Sequence, residues 1–216
     1  MSCAICEKRK EKRFCPAVHG RICPQCCGEQ REVTLDCPAE CVYLQQAHAH
    51  EKLRSIEEIE PGALFPKVEI GDRFIYEQEH LILGLSYALA KSARANRDVR
   101  DADVIGALTS LAKNHETLAS SGLHYETPVT SLVQQAIVAE VRQMLKEYRE
   151  AEQKHLGYSR LRDLDVLRAL VFLVRMGLTR TSGRPKSRTF IEFLSMQFPE
   201  QTVGVAAQSQ SSIIVP

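Results

Sequence analysis

The chain has 216 residues, with 28 Lys and Arg against 27 Asp and Glu, 44% hydrophobic residues, no Trp and eight Cys. This charged and apolar content excludes wholesale disorder and fibrous classes, and the length suits one ordinary domain or a helical domain with a small module. The longest mostly apolar run, residues 81–90, is far short of the roughly 20 residues that cross a bilayer. The first residues carry Cys and a Lys/Arg run where an export signal would be apolar. We therefore expect a soluble cytoplasmic protein without membrane contact.

The cysteines divide the chain into a Cys-rich head and a Cys-free body. All eight lie between Cys3 and Cys41, and residues 42–216 have none. The predicted parts, in chain order, are a zinc-binding finger at 1–50, a helix end and linker at 51–71, a helical bundle at 72–199 and a flexible tail at 200–216.

The spacing of the head cysteines favours structural zinc. Cys3-x2-Cys6 and Cys23-x2-Cys26 each allow two thiolates to reach one tetrahedral ion, at about 2.3 Å from each sulfur. Four disulfides would suit an exported domain, and a redox site would need only one such pair. A polar segment this short cannot bury enough apolar surface to fold alone, whereas structural Zn²⁺ adds on the order of 10 kcal/mol. We predict two zinc ions per chain.

An interleaved arrangement assigns alternate ligand groups to the two ions. The first ion would take Cys3, Cys6, Cys23 and Cys26. The second would take Cys15, Cys37, Cys41 and either Cys27 or His19. Adjacent Cys26 and Cys27 point apart and can hardly serve one ion, although they could exchange places between the two sites. An unliganded exposed thiol is a liability, which favours Cys27 over His19.

Basic residues in the head are expected to donate to the negatively charged sulfurs. The candidates are Lys8, Arg9, Lys10, Lys12, Arg13, Arg21 and Arg31. His48 and His50 are predicted to be polar helix positions, because eight Cys already fill two zinc sites.

The head contains Cys3-x2-Cys6, Phe14-Cys15-Pro16, Ile22-Cys23-x2-Cys26-Cys27 and Cys37-x3-Cys41. With these motifs it resembles the small cross-brace zinc fingers of the B-box, MYND and HIT types, and its stretch 23–33 also resembles the N-termini of uncharacterised bacterial proteins. The likeness covers about a fifth of the chain. Those families mostly use the finger to hold a protein partner, so the resemblance implies a protein-interaction module.

The body is predicted to be all-α, most simply an antiparallel bundle of five or six helices. Apolar residues recur at helical spacing in its segments, and strand alternation is faint, around residues 33–35. Helices are expected at 42–59, at 72–95 with Asp72 as the cap, at 164–178 and at 190–198. Two further helices are expected between 95 and 164: one is capped by Asp101 or Asp103, and the other begins at Thr127-Pro128 and ends at Gly157. The clearest stripe is Val133, Ile137, Val141, Met144, Leu145 and Tyr148.

The sequence offers little for catalysis, which favours a non-enzymatic protein. Two Glu-x2-His pairs, Glu77/His80 and Glu152/His155, have the spacing of helical di-iron ligands. Surface positions explain these pairs better, because no helix clearly supplies the additional inward Glu residues.

Positive charge is concentrated between residues 168 and 190, where six Lys or Arg occur without an acid. Most lie in loop 179–188, whose candidate polyanion-binding residues are Arg180, Arg184, Lys186 and Arg188. A second basic run is residues 8–13. The chain as a whole carries only +1, so a solvated loop is the simpler interpretation.

Two hypotheses follow. The first is a non-enzymatic zinc-finger protein whose head binds a protein partner, while the helical body is a scaffold or a homo-oligomerisation unit. The alternative is a nucleic-acid-associated regulator that uses the two basic segments.

Overall fold

The computed structural model describes residues 1–123 and 126–199, and within them the protein is mainly α-helical. The predicted tail at 200–216 lies outside the described residues. A small finger with strands β1 (Arg13–Cys15) and β2 (Gly20–Ile22) and helices α1 (Pro24–Gln30) and α2 (Val42–His50) comes first. The helices of the body are α3 (Asp72–Glu77), α4 (Glu79–Ala95), α5 (Asp101–Ser121), α6 (Leu132–Leu156), α7 (Asp163–Arg180) and α8 (Thr189–Gln197).

Helices α5 and α7 form the centre of the body. α5 packs against α6, α7 and α8, while α4 packs against α6, α7 and α8. Of the apolar stripe predicted on α6, Ile137, Val141 and Leu145 are buried, and Val133, Met144 and Tyr148 are partly buried against the same core. Gly177 permits a close approach, because a Cβ there would lie 2.9 Å from Ile105 and 3.0 Å from the Phe190 ring. The prediction of a mainly helical body is therefore confirmed.

Several predicted boundaries were wrong for identifiable reasons. The helix expected at 42–59 ends at His50, and a separate 3-10 turn covers Ile56–Glu58. Leu53 and Ile56 are 62% and 63% exposed, so a longer helix would have no apolar face to bury. The helix expected at 72–95 is divided at Gln78, and Gly71 rather than Asp72 is its N-cap.

Two further helix starts differ from the prediction. Ser131, not Thr127, caps α6, since its hydroxyl accepts the N–H of Gln134. Arg100 is the N-cap of α5, and its N–H donates to the carboxylate of Asp103. The faint strand at 33–35 is replaced by an isolated bridge from Arg31 to Leu35, and the two strands lie earlier in the finger.

Asp101 connects two helices of the body instead of capping its own. Its carboxylate is 1% exposed and accepts the backbone N–H groups of Phe190 and Ile191 at 3.2 and 3.1 Å. It also accepts the Ser187 hydroxyl at 2.7 Å. The carboxylate thus satisfies the first N–H groups of α8, where negative charge is also favoured by the helix dipole.

Among the described residues, none of the helices is long and apolar enough to cross a membrane.

We predict that Asp101→Ala lowers the free energy of unfolding by about 2–3 kcal/mol, because three buried donors lose a charged acceptor. For a chain of this size the melting temperature should fall by roughly 5–10 °C, measured by circular dichroism. Exposed Asp98 provides the control, and Asp98→Ala should leave the melting temperature within about 2 °C. Equal melting temperatures for both variants would contradict the role given to Asp101.

Candidate metal centre

A short hairpin brings the two Cys-x2-Cys knuckles together. Strands β1 and β2 pair antiparallel, with Phe14 opposite Arg21 and Cys15 opposite Gly20. The returning strand places Cys23 beside the first knuckle, where the N–H of Ala4 donates to the carbonyl of Arg21 at 3.0 Å. Cys23 then caps α1, with Pro24 at the first helical position. The second knuckle therefore lies on the first turn of a helix, opposite the first.

The sulfur atoms of Cys3, Cys6, Cys23 and Cys26 all lie within 4.8 Å of one another. Four sulfurs bound to one tetrahedral zinc, each about 2.3 Å from it, would be about 3.8 Å apart. The donor set therefore fits a four-thiolate ion after a small contraction. The arrangement pairs the first knuckle with the third ligand group, as the interleaved assignment predicted, and includes Cys26 rather than Cys27.

Backbone N–H groups around the tetrad point at the sulfurs. The N–H of Cys23 donates to Sγ of Cys3 at 3.2 Å, and the N–H of Cys26 donates to Sγ of Cys23 at 3.4 Å. Burial by itself would raise the pKa of Cys3, but N–H donors from Cys6, Cys23 and Ile5 lower this pKa to about 6. Such donors stabilise the thiolate, which is the form that binds metal.

The pKa of Cys26 reflects the close approach of four thiols without a cation. Burial, followed by the neighbouring thiols of the tetrad, raises the pKa of Cys26 to about 12. Four thiolates at this separation repel one another, so one retains its proton until a positive ion is present. A coordinated divalent ion removes that proton, because its charge outweighs the repulsion.

Arg9 is a cationic partner of the tetrad. Its side chain hydrogen-bonds to Cys23, and this bond together with the charges of Cys6 and Cys26 raises the pKa of the guanidinium. Two of the other predicted partners contact different groups: Arg13 lies over the ring of Tyr43 at 4.6 Å, and Arg21 pairs with Glu11 at 3.3 Å. The prediction that basic residues face the sulfurs is confirmed for Arg9.

The remaining cysteines lie in the same small core but are less closely grouped. Cys15 and Cys27 are buried, Cys37 packs against them, and Cys41 is half-buried. The pKa of Cys37 is raised by burial and by the nearby thiols of Cys41 and Cys15. Within the described residues, the tetrad is the group of thiol, imidazole or carboxylate ligands that meets the 4.8 Å separation.

The predicted polyanion loop lies against the finger. The Arg184 guanidinium donates to the carbonyls of Gly28 and Arg31 at 3.2 and 2.7 Å. Lys186 donates its side chain to the carbonyl of Thr34 and its N–H to that of Glu32, both at 2.7 Å. These carbonyls end α1 or follow it, so the loop supplies the cations that a helix C-terminus favours.

The other basic side chains of this region also have partners within the body. Arg188 donates to the carbonyls of Arg97 and Val99, both at 2.6 Å. Arg180 lies 3.6 Å from the centre of the Phe193 ring. Arg175 donates to three carbonyls of the linker, those of Leu64, Phe65 and Val68. A large part of this positive charge is therefore directed inward.

A chain of ionisable groups crosses the contact between finger and body. His48 on α2 lies 3.4 Å from Glu32 of the finger and 3.6 Å from Glu192 of α8, measured between nitrogen and oxygen. Glu32 is 2% exposed, and its carboxylate also accepts the Ser182 hydroxyl. Glu192 and then Glu32 raise the pKa of His48 to about 10. His48 is therefore a cation at neutral pH that holds two carboxylates from different parts of the chain.

The two Glu-x2-His pairs have surface roles. Glu77 pairs with Arg73, and His80 is exposed on α4. Glu152 accepts the Ser159 hydroxyl and the N–H groups of Arg160 and Leu161. His155 is exposed near the end of α6.

Comparison of the chain with family models, with curated proteins and with solved structures finds no match. The assignment of the candidate metal centre therefore rests on the geometry of its four cysteines.

Sequence reasoning missed the hairpin and the contact through His48. The hairpin had a usable signal, since Lys12, Phe14 and Arg21 alternate with Cys15 and Ile22 at strand spacing. The cluster of Glu32, His48 and Glu192 had none, because its members are separated along the chain and meet only through tertiary packing.

We predict that His48 makes the free energy of unfolding fall as the pH rises above neutral. Because its pKa rises from 6.5 to about 10 on folding, its contribution is complete below pH 6.5 and is lost as pH rises through about 10. The free energy of unfolding should therefore fall more steeply between about pH 7 and pH 10 in the parent than in His48→Gln, as measured by urea unfolding. His50→Gln, an exposed change on the same helix, should follow the parent. Identical slopes for parent and His48→Gln would refute this assignment.

Proposed function

We propose that the chain is a non-enzymatic zinc-binding protein whose finger is a protein-interaction module mounted on a helical scaffold. The observation that carries the proposal is the tetrad of Cys3, Cys6, Cys23 and Cys26 with its inward-pointing N–H donors. Four thiolates complete a tetrahedral zinc and leave no position for water or substrate, which is the arrangement of structural rather than catalytic sites.

The small size of the finger supports a structural role for the metal. Its buried cluster consists mostly of cysteines, joined by Ile22 and Leu35. So few aliphatic side chains cannot offset the chain entropy of the segment. Metal binding supplies this free energy, so folding of the finger and zinc binding are one process.

A second zinc bound by Cys15, Cys27, Cys37 and Cys41 is the finer part of the proposal. The proximity of the Cys37, Cys41 and Cys15 thiols supports it. His19 is exposed at the left-handed end of a 3-10 turn, whereas Cys27 is 8% exposed and belongs to the buried cluster that contains Cys15 and against which Cys37 packs. These positions favour Cys27 over His19 as the fourth ligand. Metal binding would have to move these four sulfurs further than those of the tetrad, because they are not grouped within 4.8 Å of one another.

The rigid connection to the body supports an interaction role. The loop carbonyl contacts and the His48 ion pairs fix the finger on the helices. A fixed orientation reduces the entropy lost when a partner binds. The resemblance to cross-brace fingers implies a protein as that partner.

We expect two zinc ions per full chain by native mass spectrometry. Cys3→Ser with Cys23→Ser should remove one ion, and Cys37→Ser with Cys41→Ser should remove the other, since each pair supplies half of one ligand set. Cys27→Ser should also lose an ion, while His19→Ala should keep both. A parent with a single zinc that persists in the Cys37/Cys41 variant would eliminate the second site, and a parent without metal would eliminate both.

The interaction role is tested by affinity purification of the full chain from cells that express it. A protein held by the parent should be lost from the Cys3→Ser/Cys23→Ser variant, because the finger loses the ion that holds its two knuckles together. Val33→Ala, an exposed change in the finger, is the control for general damage to the finger. Its zinc content should equal that of the parent at both sites. Equal recovery of every partner by parent and double variant would contradict a role for the finger.

A further inference from the structure

The outer face of the finger hairpin carries an aromatic ring between cations. In each strand the middle residue is exposed and the last is buried, so Phe14 and Arg21 face outward while Cys15 and Ile22 face the core. Phe14 and Arg21 are directly opposite one another. Phe14 is 54% exposed, and the Arg21 side chain is 56% exposed.

Lysine residues precede Phe14 along the chain. Lys12 precedes β1 and continues the pairing, since its N–H donates to the carbonyl of Ile22 at 3.0 Å. It is exposed and lies two positions before Phe14, which places both on the same face. Lys8 and Lys10 are also exposed, and within the described residues no hydrogen bond or ion pair engages the side chains of these three lysines. Residues 8–21 include one acid, Glu11, which pairs with Arg21.

We infer that this face, formed by Lys12, Phe14 and Arg21 and preceded along the chain by Lys8 and Lys10, binds single-stranded nucleic acid. Surfaces that bind single strands without sequence preference combine cations along the phosphate backbone with aromatic rings on which bases stack. Phe14 offers the ring, and its cationic neighbours lie roughly 5–7 Å away along and across the strands, given ordinary sheet spacings.

The geometry favours nucleic acid over an acidic peptide. A peptide side chain needs an apolar pocket, whereas the residue two positions before Phe14 and the residue opposite it, Lys12 and Arg21, are both charged. A base needs only a flat ring, and its phosphates need charges on either side. The metal centre behind the hairpin stiffens the platform, because Cys15 and Ile22 pack into the same core as the tetrad.

This inference differs from one based on loop 179–188. The side chains of Arg184, Lys186 and Arg188 already donate to main-chain carbonyls. The Lys12, Lys10 and Lys8 side chains have no such partners in the described part of the chain. Nucleic-acid binding at the hairpin face does not require the proposed protein partner, although it requires a folded finger.

The test is fluorescence anisotropy with the zinc-loaded full chain and a labelled oligothymidylate of about 20 nucleotides at about 50 mM salt. The parent should bind, and its affinity should fall with salt at a logarithmic slope of about −2 to −3, as expected for three or four phosphate contacts. Phe14→Ala and Phe14→Leu should weaken binding roughly 5- to 150-fold, since both remove the stacking ring. Phe14→Tyr should bind like the parent.

Matched controls separate the face from general damage. Val42→Ala changes an equally exposed apolar residue of the finger, 58% exposed, and should leave affinity unchanged. Lys12→Gln should reduce the salt slope by about 0.7, one phosphate contact. Every variant should retain the zinc content of the parent by native mass spectrometry.

Three results would overturn the inference: no binding by the parent, unchanged affinity in Phe14→Ala, or parent-like affinity in Phe14→Leu. The last, together with displacement of the oligonucleotide by a Glu-rich peptide containing Phe, would assign the face to an acidic protein segment. A parent that contains no zinc would count against the proposed function. A parent that contains zinc but does not bind the oligonucleotide would count against this inference alone.

Discussion

The convergence of four sulfurs behind a short hairpin is the interaction on which the rest of the finger depends. Backbone N–H donors lower the pKa of Cys3 to about 6, while burial and neighbouring thiols raise that of Cys26 to about 12. The site is therefore arranged for negative charge that it cannot fully hold by itself. A divalent ion bound there would resolve this conflict, and under the proposed function its binding free energy would replace the apolar core that a segment of this size lacks.

The end of α1 connects the finger to the body. Cys23 and Cys26 fix the first turn of this helix, and the carbonyls at and beyond its last turn accept donors from Arg184 and Lys186. His48 adds a second connection between Glu32 and Glu192. Because these groups are charged and partly buried, each needs its partner in place, so finger and body are expected to stabilise one another.

Positive charge serves two different purposes in the chain. In the body, Arg175, Arg184 and Arg188 donate to carbonyls left unpaired at linkers and helix ends. On the outer face of the finger, Lys12 and Arg21 flank an exposed aromatic ring. The hairpin has two distinct faces, since Cys15 and Ile22 pack into the core of the finger while Phe14 and Arg21 are exposed.

Local patterns in the sequence were enough to group the four cysteines of the tetrad and to locate much of the buried stripes of α6 and α7, because knuckle spacing and helical periodicity are properties of short segments. Helix ends were less predictable: Asp101 resembles a local cap, yet its carboxylate serves α8. Only the tertiary structure decided the roles of loop 179–188 and His48. A charged side chain is bound or solvated according to which carbonyls and carboxylates the fold places beside it, and those partners are distant along the chain.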